Sequence, residues 1–166
     1  PVLKAFAREV GKTVFFGVRS EGEIIYICKF EPENPIITTA TVGTKNPIYC
    51  TSLGKAILAY TDEELRKQVI SRVKFERKTA RTIVLRLELN QNLEEIRRLG
   101  YAVDDREMEE HMKCVGAPVF ASDGSVLGAI SVSRLYTPEE NYTVLGQAVA
   151  KKAAEVSKLL GFLGKI

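Results

Sequence analysis

The run Lys113-Cys-Val-Gly-Ala-Pro-Val-Phe120, followed by Ala121-Ser-Asp-Gly-Ser125 and then Val126-Leu-Gly-Ala-Ile-Ser-Val-Ser133, decides the fold. Two apolar, β-favouring octets flank Ser122-Asp-Gly124, a turn signature, so they read as two strands of one hairpin. Side chains alternate across a strand. Val126, Ile130 and Val132 are therefore expected on one face, and Leu127, Ala129, Ser131 and Ser133 on the other. The serines would lie about 6.6 Å apart along the strand, within reach of different oxygens of one small ligand. A solvent-facing strand end fits the same pattern.

Upstream, Leu89, Leu93 and Ile96 mark an amphipathic helix that Gly100 ends, and Tyr101 to Asp104 starts a strand. Downstream, Thr137-Pro-Glu-Glu140 combines a capping box with proline at the first helical position. The helix it opens carries Tyr142, Leu145, Val149, Ala153, Val156 and Leu160 on one stripe, through to Gly161. Near the start, residues 1–10 read as the end of a helix, with Gly11 as its C-cap. A second hairpin runs from Thr13 to Arg19, turns at Ser20 to Glu23 and returns from Ile24 to Phe30. Pro32 and Pro35 break that run, and Ile36 to Val42 is expected as a third strand closed by Gly43. Thr51 to Tyr60 reads as a short helix. Thr61-Asp-Glu-Glu64 starts another, with Thr61 as cap and Glu64 reaching back. A looser basic segment spans Arg72 to Arg86. Hairpin-paired strands alternating with helices predict an α+β domain, an antiparallel sheet with helices packed on it.

The bulk properties agree with one globular unit. Hydrophobic residues are 45% and charged residues 27% of 166, with a net charge of +3, ordinary values for a domain with its own core. The basic cluster of Arg72, Lys74, Arg77, Lys78 and Arg81 holds a single aromatic, Phe75, and reads as a solvated loop and helix end rather than a nucleic-acid surface. No apolar run approaches the roughly 20 residues that cross a bilayer, and no secretory signal pattern is visible. A chain starting at Pro1 reads as a fragment or a processed product. Cys28, Cys50 and Cys114 are odd in number and widely spaced, so a reducing, cytoplasmic setting is expected.

Enzyme chemistry finds little support. The single histidine, His111, excludes any site that needs two, and no nucleophile elbow, phosphate loop, dinucleotide fingerprint or zincin pattern occurs. His111-x-x-Cys114 with distant Cys50 and Asp104 is half of a zinc site at best, and Cys114 equally reads as a small buried apolar residue. Two further features suggest a pocket. Cys50-Thr-Ser-Leu-Gly-Lys55 opens a helix whose first amides favour an anion, although an ordinary Thr or Ser cap has the same appearance. Gly100-Tyr-Ala-Val-Asp-Asp105 ends in two aspartates, which serve either a turn or a ligand's hydroxyl.

Taken in order, these segments resemble one family. Cys50-Thr-Ser-Leu-Gly-Lys-Ala-Ile-Leu-Ala59 is similar to the H-A-T-x-x-G-K-A-L-L-A segment of IclR-type transcription regulators. Leu93-Glu-Glu-Ile-Arg-Arg-Leu-Gly-Tyr-Ala-Val-Asp-Asp105 resembles their L-x-x-I-R-x-x-G-Y-A-x-D-D segment. Cys114-Val-Gly-Ala-Pro-Val-Phe120, Asp123-Gly124 and Ala129-Ile-Ser-Val-Ser133 resemble the stretches that follow. The resemblance runs from about residue 12 to residue 162. It implies a GAF/PAS-like fold, a twisted antiparallel sheet with helices on both sides, in a bacterial, cytoplasmic, non-enzymatic protein without a cofactor or metal. Residues 1–11 would be the end of a linker helix and 12–166 the effector-binding domain. A small metabolite, expected to be a carboxylate, would bind Ser52, Leu53, Asp104, Met112, Cys114, Ser131 and Ser133. The domain would pair with itself as a dimer or tetramer, and operator DNA would be reached only through an N-terminal helix-turn-helix domain absent from this chain. The alternative is a GAF/PAS-like dimerisation module with no ligand. Cys50 replaces the family's usual histidine, and Arg134 replaces its usual glycine, which would put a positive charge near the pocket mouth.

Overall fold

The computed structural model describes residues 1–36 and 38–164. The decisive hairpin forms as two strands, β5 (Lys113–Phe120) and β6 (Val126–Ser133), joined by the turn at Gly124. They sit inside a six-stranded sheet of order β3-β2-β1-β6-β5-β4, with β1 at Thr13–Ser20, β2 at Glu23–Phe30, β3 at Lys45–Pro47 and β4 at Ala102–Asp105. Every neighbouring pair is antiparallel. The first strand bridges the two hairpins: Phe15 pairs with Ser131 across β1 and β6.

Five helices among the described residues cover both faces. Helices α2 (Ser52–Tyr60), α3 (Glu63–Arg72) and α4 (Arg86–Leu99) bury Leu53, Ile57, Ile70, Leu89, Leu93 and Ile96 against Phe15, Ile24, Tyr26 and Ala129. On the other face, α1 (Val2–Val10) and α5 (Tyr142–Leu159) bury Phe6, Leu145, Val149 and Ala153 against Val14, Val115, Ile130 and Val132. A sheet covered on both sides must be apolar on both, which is why β5 and β6 lack a polar face along most of their length. The expected stripe of the last helix is buried at Leu145, Val149 and Ala153, whereas Leu160 is exposed. Gly11 and Gly100 end α1 and α4 in the left-handed conformation that a residue without Cβ adopts freely.

Four local expectations differ from the structure. The third strand is not Ile36 to Val42: the described residues there are irregular, and Ile37 lies outside the described residues. Thr41 and Thr44 close a turn instead, with Thr44 N donating to Thr41 O at 3.0 Å and Thr41 N donating to Thr44 Oγ at 3.0 Å. Pairing starts only beyond that turn, at Lys45, and stops at Pro47, which has no N–H to extend the ladder. The cap of α3 is Asp62, which accepts from the Glu64 and Leu65 amides at 3.1 and 3.2 Å. Thr61 serves the preceding helix, donating to Ile57 O at 2.8 Å. Asn141 caps α5, accepting from Val144 N at 3.1 Å, so the capping box at 137–140 lies outside the helix. Finally, the β5–β6 register shifts between Val119 and Phe120, making Leu127 an extra residue. That bulge reverses the alternation, and Val126 packs with Ala129's cluster rather than with Ile130 and Val132.

Candidate functional site

Between the start of α2 and the concave sheet lies a cavity of about 40 Å³. All seven residues singled out in the sequence line it: Ser52 and Leu53 from α2, Asp104 from β4, Met112 just before β5, Cys114 from β5, and Ser131 and Ser133 from β6. Alternation brings Ser131 and Ser133 to the same face as Phe15, and both serines are buried. The β4–β5 pairing sets Asp104 opposite Cys114.

The helix start fits closely against the sheet for a local reason. Gly116 of β5 faces the Ser52 carbonyl, where a Cβ would lie 2.8 Å from that carbonyl and 3.2 Å from Leu53 N. Thr51 caps α2, its Oγ accepting from Gly54 N at 3.1 Å and donating to Pro47 O at 3.1 Å. The first intrahelical bond runs from Lys55 N to Thr51 O at 2.9 Å, so the Ser52 and Leu53 amides belong to the turn whose N–H groups lack helical partners. Such amides carry partial positive charge.

The opposite wall is acidic. Asp104 is 3% exposed. Its Oδ1 accepts from Glu107 N at 2.7 Å and Met108 N at 3.4 Å, holding the loop after β4 in a tight turn in which Arg106 has φ 60°. Oδ2 has no hydrogen-bond partner among the described residues. Burial, reinforced by the charge of Glu107, pushes the Asp104 carboxyl up to about 7, with Lys55 and the two amides opposing the shift. Glu107 is also pushed up by burial, against the pull of Lys55, to which it is ion-paired. Burial and then the nearby Asp104 push the Cys50 and Cys114 thiols up to about 12, so neither is a ready nucleophile.

Several residues take positions that sequence reasoning did not assign. Asp105 turns outward to Arg81, Arg106 and Lys113, at 2.6, 3.0 and 3.4 Å, and separates from Asp104 by strand alternation. Arg134 does not approach the cavity; it pairs with Glu140 and donates to Thr137 Oγ at 3.0 Å. Cys50 is buried beside Met108, its Sγ donating to the thioether at 3.8 Å, and is not part of the cavity wall. His111 is exposed, and no group of three or more His, Cys, Asp or Glu among the described residues is placed to hold a metal. The cavity wall also contains Phe15, Tyr26, Thr38, Asn46, Met108 and Glu109. Tyr26 was legible as an inward residue of the second strand by alternation. Thr38 and Glu109 lie on irregular segments, where no periodicity marks direction.

Comparison with known proteins places the fold in a family. The family described as bacterial transcriptional regulator IclR, C-terminal, matches residues 1–158. The HTH-type transcriptional regulator KdgR of Escherichia coli (strain K12) is 30% identical over 162 residues, 96% of this chain and 62% of that protein. The chain thus spans about three fifths of that relative's length. The crystal structure of the Thermotoga maritima IclR superposes with a TM-score of 0.90 at 32% identity, covering 97% of this chain and 66% of that one. The inducer-binding domain of the Acinetobacter transcription factor PobR, solved as a double mutant with 3-hydroxybenzoic acid, has a TM-score of 0.84 at 19% identity, covering 95% of this chain and 94% of that one, a likeness of fold. No helix of the described residues is long and apolar enough to cross a membrane. The chain belongs to the IclR family of bacterial transcriptional regulators, corresponding to its C-terminal domain.

Proposed function

We propose that this chain is the effector-sensing part of a transcription regulator and that its cavity takes a small carboxylate metabolite. The observation that carries this reading is the convergence of Ser52 and Leu53, at the start of α2, with the buried Ser131 and Ser133 on one cavity. Two amides at a helix start and two hydroxyls suit a carboxylate's lone pairs. Asp104 on the far wall suits a ligand hydroxyl. The naming of PobR's domain as inducer-binding, with a hydroxybenzoic acid, lends the same direction.

In this reading residues 1–11 are the end of a linker helix leading to a DNA-binding part outside this chain, and residues 12–166 sense the effector. Helix α1 is docked by Phe6 and Ala7 on the sheet face opposite the cavity, so a shift of the sheet reaches it through packed side chains. Subunits would assemble as a symmetric dimer or tetramer. An effector alters DNA binding only by favouring one subunit arrangement over another. The test is a thermal-shift panel of small carboxylates against the chain. Stabilisation that depends on Ser131 and Ser133 supports the sensor reading, and no stabilisation by any member overturns it. The second reading, a dimerisation module with no ligand, is favoured by the cavity's size: about 40 Å³ holds water but must widen for a metabolite.

A further inference from the structure

Among the described residues, the acids on the cavity wall have no cation beside them on that wall. Lys55 of α2 is not part of that wall and is committed to Glu107. Asp104 is faced by Glu107 from its own loop, by Lys55 and Cys50 from α2 and the turn before it, by Cys114 from β5, and by Tyr26 from β2. Glu109 adds a second acid to the cavity wall, and no lysine or arginine lines it. The bases next along the chain point elsewhere: Arg106 and Lys113 turn to Asp105 and to the Tyr136 and Tyr142 rings outside. A carboxylate ligand would therefore meet an ionised carboxylate with no lysine or arginine of the wall between them, and two such groups in contact do not both stay ionised.

We propose that a small carboxylate enters this cavity together with one proton, held on Asp104, whose neutral carboxyl then donates a hydrogen bond to the ligand. The proposal rests on the effector reading above and adds the charge state of the complex. The proton comes from solvent on binding and returns to it on release, with no other bond made or broken. The geometry assigns it to Oδ2, because Oδ1 is occupied as an acceptor from the Glu107 and Met108 amides. The carboxyl's position near neutrality in the free domain agrees with this. Protonation would turn Asp104 from the wall that repels an anion into a further donor opposite the helix amides.

The test is a titration of the ¹⁵N-labelled chain with glycolate, pyruvate and benzoate, following the Ser52 and Leu53 amides. All three probes are fully ionised at both pH values used. The expected result is binding about tenfold tighter at about pH 6 than at about pH 8, with proton uptake, read by calorimetry in buffers of different ionisation enthalpy, that is small at about pH 6 and approaches one per ligand at about pH 8. Asp104→Asn keeps the acceptor for the two amides and is neutral throughout, so its binding should be independent of pH and release or take up no proton. Equal affinity at both pH values without proton uptake in the parent chain overturns the proposal and leaves the effector reading standing. A pH dependence that persists in Asp104→Asn places the proton elsewhere and also overturns it. Failure of all three probes to shift either amide at either pH overturns the carboxylate reading and the proposal with it.

Discussion

Lys55 and Glu107 form an ion pair buried between the first turn of α2 and the loop after β4, joining the two walls of the cavity. Lys55 is 0% and Glu107 5% exposed. The loop that carries Glu107 is held from behind, where Thr79 and Thr82 hydroxyls donate to the Arg106 and Glu107 carbonyls at 2.7 Å each. Glu107 Oε2 is buried without a partner among the described residues. A pair of this kind adds little to stability in itself, but removing one member strands the other.

Lys55→Met should accordingly destabilise the domain by about 3–5 kcal/mol, because it leaves Glu107 buried and unpaired beside Asp104. The double replacement Lys55→Met with Glu107→Leu should recover most of that loss. Urea unfolding midpoints of the parent, single and double variants check this, and a single-variant loss under about 1 kcal/mol would count against the pair's role.

Stability should fall as pH rises from about 4 to about 7, through the Asp104 carboxyl. Its value is about 7 in the folded chain and about 3.9 when unfolded. Between the two, the native state binds the extra proton, so the slope of unfolding free energy with pH is negative, on the order of 1.4 kcal/mol per unit. Other carboxylates, such as Asp105, are held low by their cations and pull the opposite way at more acid pH. The difference between parent and Asp104→Asn isolates the effect: the variant should lack this downward slope in unfolding measurements across the same range.

Ser131→Ala and Ser133→Ala should each weaken carboxylate binding several-fold to about tenfold, the worth of one hydrogen bond at roughly 0.5–1.5 kcal/mol. The melting temperature of the free domain should barely move, since the lost hydroxyls face the cavity. Unchanged affinity in both variants would mean that the ligand lies elsewhere.

Gly116→Ala should lower stability by about 1–3 kcal/mol through overpacking. The new methyl would lie 2.8 Å from backbone atoms of Ser52, not from a flexible side-chain end. Relief requires the first turn of α2 to move off β5, so the same substitution should also shift the Ser52 and Leu53 amide resonances. A variant with parent-like resonances and melting temperature would show that the fit is looser than the geometry indicates.

Alternation, caps and turns are local properties, and they were legible without coordinates. The β5 and β6 boundaries, the helix after Thr51, and the left-handed ends at Gly11 and Gly100 follow from residue order alone. So does the shared face of Ser131 and Ser133, because both lie beyond the bulge at Leu127 and keep the same parity. The bulge itself was not legible: it arises from the mismatch between the β5–β6 turn and the register that the buried faces require, and no single residue announces it. The edge strand at Lys45–Pro47 was missed for a similar reason. Its three residues pair with Glu23–Ile25 only because Gly43 and Thr44 bond to Tyr26 across the chain. The seven residues expected around a pocket came from a resemblance in motif order. That they line one space depends on strand order β1-β6-β5-β4, which sets Asp104 opposite Cys114 and brings Ser133 level with Cys114 although they are apart in sequence. Charge was decided by tertiary structure alone. In the sequence Lys55 is one of 24 bases and Glu107 one of 21 acids; only burial against each other removes the lysine from the cavity's balance and leaves Asp104 with a carboxyl poised near neutrality. Desolvation depends on what surrounds a group in space, and residue order carries no record of it.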